Sequence, residues 1–203
     1  MKKIIMILMA ICLIAPMATA ELSKKQVKAI SKMAKDRSKK LEKDGYSVMG
    51  SVPLKAALEN HYTALENGAT EQVGNGRSKS KNTGRQMCLT YAMSEYASKE
   101  LSQLKGRSVI DSYGNEVDTE KDEEFARFYA AYERLTQKEI KGEMQESFTV
   151  YRQLPDGTYE FEMYLTVDEA KAKDKREKAI RGAAAESKLA QDYARQISEF
   201  VNK

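Results

Sequence analysis

Apolar and polar residues alternate most sharply between Met144 and Val167. Phe148, Val150 and Leu154, with Met144 further back, recur on one face of a first arm. Tyr159, Phe161, Met163, Leu165 and Val167 share a face of a second arm, and Glu160, Glu162 and Thr166 point the other way. Period two is the signature of a half-buried strand. Between the arms, Pro155-Asp156-Gly157-Thr158 combines a preset φ, a side chain able to bond its own backbone and a residue free to take positive φ. The stretch predicts a β-hairpin. Its apolar face requires a cover of helices.

Helical spacing fills most of the remaining chain. Val27, Ile30, Met33 and Ala34, continued weakly by Leu41, form a thin stripe on a lysine-rich helix from Glu21 to Asp44, stopped by Gly45. Tyr46 to Met49 is a short extended piece, and after Pro53 a helix carries Leu54, Leu58, Tyr62 and Leu65 on one side as far as Asn67-Gly68. Residues 69–80 (ATEQVGNGRSKS) bury little by themselves. They predict a third strand, because a lone hairpin seldom sustains a domain. A helix from Thr83 to Leu104 has Leu89, Met93, Ala97, Leu101 and Leu104 as its core row, flanked by Ala92 and Tyr96, and residues 109–115 read as a turn.

Thr119 caps the next helix, with Glu120, Asp122, Glu123 and Glu124 suiting its first turn. Phe125, Phe128, Tyr129, Tyr132, Leu135, Thr136 and Ile140 then line one side. Asp168 caps a last helix reaching about Val201. Its first half, 171–182, reads as charged and solvated; its second half packs through Leu189, Ala190, Tyr193, Ala194, Ile197, Phe200 and Val201. The expected fold class is α+β: a small antiparallel sheet, hairpin 144–167 plus a third strand near 69–80, packed by helices and carrying helical extensions at both ends.

Composition adds a compartment. Lys2 and Lys3, the apolar run Ile4 to Ile14 and Ala18-Thr19-Ala20 make residues 1–20 a signal peptide, too short in its apolar run to span a bilayer. The expected divisions are this signal, a basic leader helix over 21–45, an α+β envelope domain over 46–170 and a C-terminal helix over 171–203. Export places the chain in the periplasm. Cys12 offers an alternative, lipid anchoring at the outer membrane, although Ile11 is bulkier than a lipobox allows. Without Lys2 and Lys3 the charges nearly balance, 32 basic against 30 acidic, which argues against nucleic acid as a partner. Placement is uneven: residues 21–45 hold nine Lys/Arg and four Asp/Glu, residues 46–167 fourteen and nineteen. The leader is thus suited to steering toward an anionic surface or to lying as a solvated helix face. Cys88 is the one cysteine beyond the signal, so it reads as a buried small hydrophobe.

Reactive chemistry is sparse. His61 is the only histidine, with no His-x-x-x-His, Cys-x-x-Cys or Gly-x-Ser-x-Gly pattern to accompany it. Gly74-Asn75-Gly76, beside Arg77, Lys79 and Lys81, lacks the rest of a phosphate loop and reads as a strand irregularity or turn. The acidic run from Asp118 to Glu124 lacks the alternating oxygens of a calcium loop. No catalytic, cofactor or metal residue is assigned, and no cofactor is expected. The candidate binding surface comprises Tyr151 and Tyr164, on the hairpin face opposite the apolar one, and Lys24, Lys28 and Lys32 of the leader. Paired tyrosines suit stacking on a sugar, or they lie under a helix.

Four stretches carry a family resemblance: Tyr91-Ala92-Met93-Ser94-Glu95-Tyr96-Ala97; Ile140-Lys141-Gly142 entering a strand; Asp156-Gly157-Thr158-Tyr159-Glu160-Phe161-Glu162-Met163-Tyr164-Leu165; and Asp44 to Leu54, a "DGY-x-V-x-G-x-x-P-L" stretch. Residues 44–170 resemble the LPP-twenty-type envelope lipoproteins and the related amino-terminal domain of the flagellar assembly protein T. They are also similar to exported proteins of gut anaerobes. The resemblance implies a small α+β envelope domain without an active site; the long basic leader and the missing lipobox depart from it. The expected function is that of an exported, non-enzymatic envelope protein working through contact with an envelope protein or the cell wall. The alternatives are a peptidoglycan-binding module using the tyrosines, and a carboxylate-based hydrolase. The hydrolase would require His61 to meet acidic side chains in a cleft with apolar walls. The same expectation holds that removing residues 21–44 leaves the body folded.

Overall fold

A computed structural model of the chain describes residues 22–107 and 119–186. The signal segment with Cys12, the turn at 109–115 and the stripe from Leu189 to Val201 lie outside the described residues. The elements run α1 (Lys24–Lys43), β1 (Ser47–Val48), α2 (Leu54–Glu66), β2 (Thr70–Ser78), α3 (Lys81–Arg107), α4 (Thr119–Ile140), β3 (Met144–Gln153), β4 (Tyr159–Val167) and α5 (Glu169–Ala185). The fold is α+β. The strands form one antiparallel sheet in the order β1-β3-β4-β2, so the hairpin is central and the strand predicted at 69–80 is an edge.

The turn forms as its residues dictate. Gly157 takes φ +79°, and the Asp156 carboxylate accepts bonds from the Thr158 hydroxyl and amide and from Arg77 Nη2 at 2.6 Å. The two Thr158 bonds, then Arg77, hold that carboxyl down at about 2.

The hairpin departs from strict alternation at one residue. Glu146 faces Leu165 but Phe148 faces Tyr164, leaving Ser147 as the extra residue of a β-bulge. Beyond the bulge the parity of β3 is reversed. Thr149 and Tyr151 therefore oppose Met163 and Phe161, while Phe148 and Val150 join Tyr164 on the other face. Phe148 and Val150 do not share a face with Phe161, as the alternation predicts, and the sheet is apolar on both sides. One face packs Phe161, Met163, Leu165 and Val167 against Cys88, Ala92 and Tyr96 of α3, with Ile140 and Ala172. The other packs Phe148, Val150 and Tyr164 against Ala34 and Leu41 of α1 and Leu54, Ala57 and Leu58 of α2.

The second of these faces makes α1 part of the core. Ile30, Ala34, Ser38 and Leu41 are buried along it, and a Ser23–Gln26 capping box closes its N-terminus. Val27 and Met33, included in the predicted stripe, remain about half exposed (51% and 47%). The leader is a wall of the domain.

Two further corrections concern helices. Ala97 and Leu104 of the expected α3 row are buried, but Leu89, Met93 and Leu101 are only partly so, and the residues of α3 that meet the sheet are Cys88, Ala92 and Tyr96. The reason lies in β2, where Gly74 and Gly76 let the helix approach backbone to backbone: a Cβ on Gly74 would overlap the Cys88 carbonyl, and one on Gly76 would lie 2.8 Å from the Gly84 carbonyl oxygen. These glycines sit in regular register with Met163 and Phe161. They are neither a turn nor an irregularity. The first half of the last helix is also not simply solvated. Ala172, Ala179 and Ile180 of it are buried, as are Ala183 and Ala184 just beyond, several of them against Phe128, Tyr129 and Tyr132 of α4. Arg176, in the same row, pairs with Glu169 at 2.8 Å and Glu100 at 3.4 Å and donates to the Tyr96 hydroxyl. Alanine is too small to announce such a stripe against so many charges.

Burial raises the Cys88 thiol from 9.0 to about 11. An acid whose folded value is raised is favoured neutral, so its stabilising contribution is complete below the unfolded value and disappears as pH climbs toward 11. In protein lacking residues 1–20, a disulfide reagent at pH 8 should label native Cys88 on the order of a hundredfold more slowly than the denatured chain, from lost thiolate alone. Immediate labelling of the native protein would contradict this burial.

Candidate functional site

The α2 row Leu54, Ala57, Leu58 and His61 faces the sheet, which carries the only histidine into the interior. Its side chain is fully enclosed. Phe148 and Tyr164 meet the ring edge-on at centroid distances of 5.6 and 5.9 Å, and Tyr62 lies at 5.8 Å. Nε2 is 2.7 Å from Glu71 Oε2 on β2, and Nδ1 is 3.0 Å from Ser147 Oγ at the bulge. A carboxylate only accepts, so Nε2 donates to Glu71; in the neutral ring Nδ1 then accepts from the Ser147 hydroxyl. Both ring nitrogens are satisfied inside the fold.

Serine, histidine and carboxylate in a row is the connectivity of a hydrolase relay. The aromatic walls fit that expectation, but the imidazole itself is 0% exposed, and the row meets solvent at its two ends, through Glu71, whose side chain is 40% exposed, and through the partly buried Ser147. Sequence reasoning reached His61 but missed Glu71 and Ser147. Only chain folding joins positions 61, 71 and 147, and a bulge residue has no signal within strict alternation. His61→Ala should lower stability by about 3 kcal/mol, combining a cavity with two lost bonds. Urea unfolding monitored by circular dichroism would check this, and an unchanged midpoint would show that the ring is not enclosed.

The two tyrosines of the candidate surface part company. Tyr164 is buried at 6% exposure, stacked on Phe148 at 4.5 Å. Its hydroxyl accepts from Arg37 at 2.7 Å and donates to Glu162 at 2.8 Å, and burial raises it to about 12. Tyr151 lies half-buried on the opposite face beside Tyr159 and Phe161, with Lys81 Nζ 3.9 Å above its ring. The bulge separated them. They present no common platform for a sugar.

Lys24, Lys28 and Lys32 are exposed on α1, as are Lys25, Lys35, Lys39 and Lys43. At roughly 100° per residue, positions 25, 28, 32, 35, 39 and 43 fall on the side opposite Ile30, Ala34 and Leu41. They form a ridge roughly 27 Å long. None of these lysines has an ion-pair partner among the described residues, whereas Arg37 turns inward to Tyr164. Among the described residues no group of three His, Cys, Asp or Glu side chains is placed to hold a metal, and no helix is long and apolar enough to cross a membrane.

The fold and surface thus define an α+β domain, with its four-stranded antiparallel sheet covered on both faces and a lysine ridge along one wall. No protein-family model matches the chain, and neither a curated protein nor a solved structure matches it significantly.

Proposed function

We propose that this chain is an exported, non-enzymatic envelope protein that acts by contact, with the outer face of α1 as its contact surface. The observation that carries this is the unpaired lysine ridge. Eight lysines and one arginine against two acids give α1 seven net positive charges; the whole chain has +4, so the remainder carries a net −3. One wall is therefore strongly basic on an otherwise slightly acidic body, an arrangement that orients the molecule toward an anionic partner. The signal-like residues 1–20 and the resemblance to envelope lipoproteins support an envelope setting.

A photo-crosslinking residue at position 28, 32 or 35, compared with one at 99 or 138, tests this in native envelopes. Adducts confined to the α1 positions are expected; equal adducts everywhere, or none, would overturn the assignment. A hydrolase is the second reading, favoured by the Ser147–His61–Glu71 row. It requires Ser147 to be labelled by a fluorophosphonate. The contact role requires that it is not.

A further inference from the structure

We propose that the partner of the α1 ridge is the surface of an anionic lipid bilayer, an inference that rests on the contact role above. The ridge lies on the outer side of α1, opposite the row that packs into the domain. Such a surface meets a plane along its whole length. A single polymer chain, by contrast, is best held in a groove and by stacking, and α1 contains no aromatic residue to stack on a base or sugar. Lys25, Lys28, Lys32, Lys35, Lys39 and Lys43 would all reach headgroup phosphates together, their long stems letting the ammonium groups adjust.

No apolar side chain interrupts this row. Val27 and Met33 stay on the flanks of the helix, nearer the body. The contact is therefore electrostatic, without insertion of the helix into the hydrocarbon. It weakens as salt shortens the Debye length. The net negative charge of the remainder of the chain turns the opposite surfaces away from the bilayer and fixes the orientation.

The test is co-sedimentation of the protein lacking residues 1–20 with vesicles of phosphatidylcholine alone or with about a third phosphatidylglycerol. Binding only to the anionic vesicles is expected, and it should be lost between about 0.1 and about 1 M salt. Lys25→Gln, Lys28→Gln, Lys32→Gln and Lys35→Gln should each weaken binding about fivefold, and together at least about a hundredfold. All four side chains are exposed, so the combined variant should keep the native melting temperature. A control neutralising exposed Lys99, Lys138 and Lys141 should bind nearly as well as the unaltered protein.

No binding to anionic vesicles, equal loss in the control, or binding to a soluble polyanion such as heparin without vesicle binding would each overturn the bilayer assignment. In those cases, adducts at position 28, 32 or 35 to a protein would leave the contact role standing with a different partner. Absence of such adducts as well would remove both.

Discussion

Gly74→Ala should destabilise the protein by about 3 kcal/mol or more, beyond most of the range for a methyl group added to a packed interior. The added Cβ would overlap the Cys88 carbonyl oxygen and lie 2.6 Å from its carbon and 3.1 Å from its Cα. All three are backbone atoms of α3, so no rotamer change relieves the contact. Either the helix lifts from β2 or the edge strand leaves β4. Lifting α3 also disturbs Gly84, whose own Cβ position is filled by the Phe161 ring. A domain of this size has about 5–15 kcal/mol in total, so the thermal midpoint should fall by roughly 6–12 °C. Gly142→Ala is the control, because nothing lies within 4 Å of its Cβ position and φ there is not positive. It should stay within about 0.5 kcal/mol of the unaltered protein. Equal melting of the two variants would mean that α3 does not approach β2 backbone to backbone.

Removing residues 22–44 should abolish the cooperative unfolding transition or lower its midpoint more than any single substitution. This reverses the expectation drawn from the sequence. The deletion removes Ile30, Ala34 and Leu41, and uncovers Leu54, Leu58, Phe148, Val150 and Tyr164. Large apolar side chains contribute about 1.5–3 kcal/mol each when fully buried, so the loss approaches the total stability. It also leaves the Tyr164 hydroxyl without Arg37. Leu41→Ala gives a milder form of the same test, at about 2–5 kcal/mol. Calorimetry distinguishes the outcomes: a truncated protein with an unchanged melting temperature would show α1 to be a detachable extension. Neutralising the outward lysines should leave the same transition intact, because they are exposed on the side of α1 opposite its buried row.

Much of the architecture was legible in the residues. The hairpin, its Pro155-Asp156-Gly157-Thr158 reversal, the edge strand over Thr70–Ser78 and the short Ser47–Val48 strand all follow from alternation, turn chemistry and the needs of a small sheet. So do the five helices and the burial of Cys88. Of the site, the lysines of α1 were visible because exposed charge at helical spacing is a local property. The tyrosine pair was misplaced by one bulge, and two of the three members of the His61 row were not visible at all.

Periodicity and turn chemistry are properties of neighbours along the chain, so the sequence by itself determined which segments are helix or strand and where the hairpin reverses. The tertiary structure decided the rest: that Ser147 is the residue left out of the ladder, that both sheet faces are therefore covered, and that Glu71 and Ser147 close on His61. It also decided that glycines in β2 admit α3, and that a row of alanines with Ile180 in α5 packs on α4. The physical reason is the same in each case. A one-residue change of register carries every later side chain to the opposite face, and a contact between distant segments depends on shape and partner, which no local pattern contains.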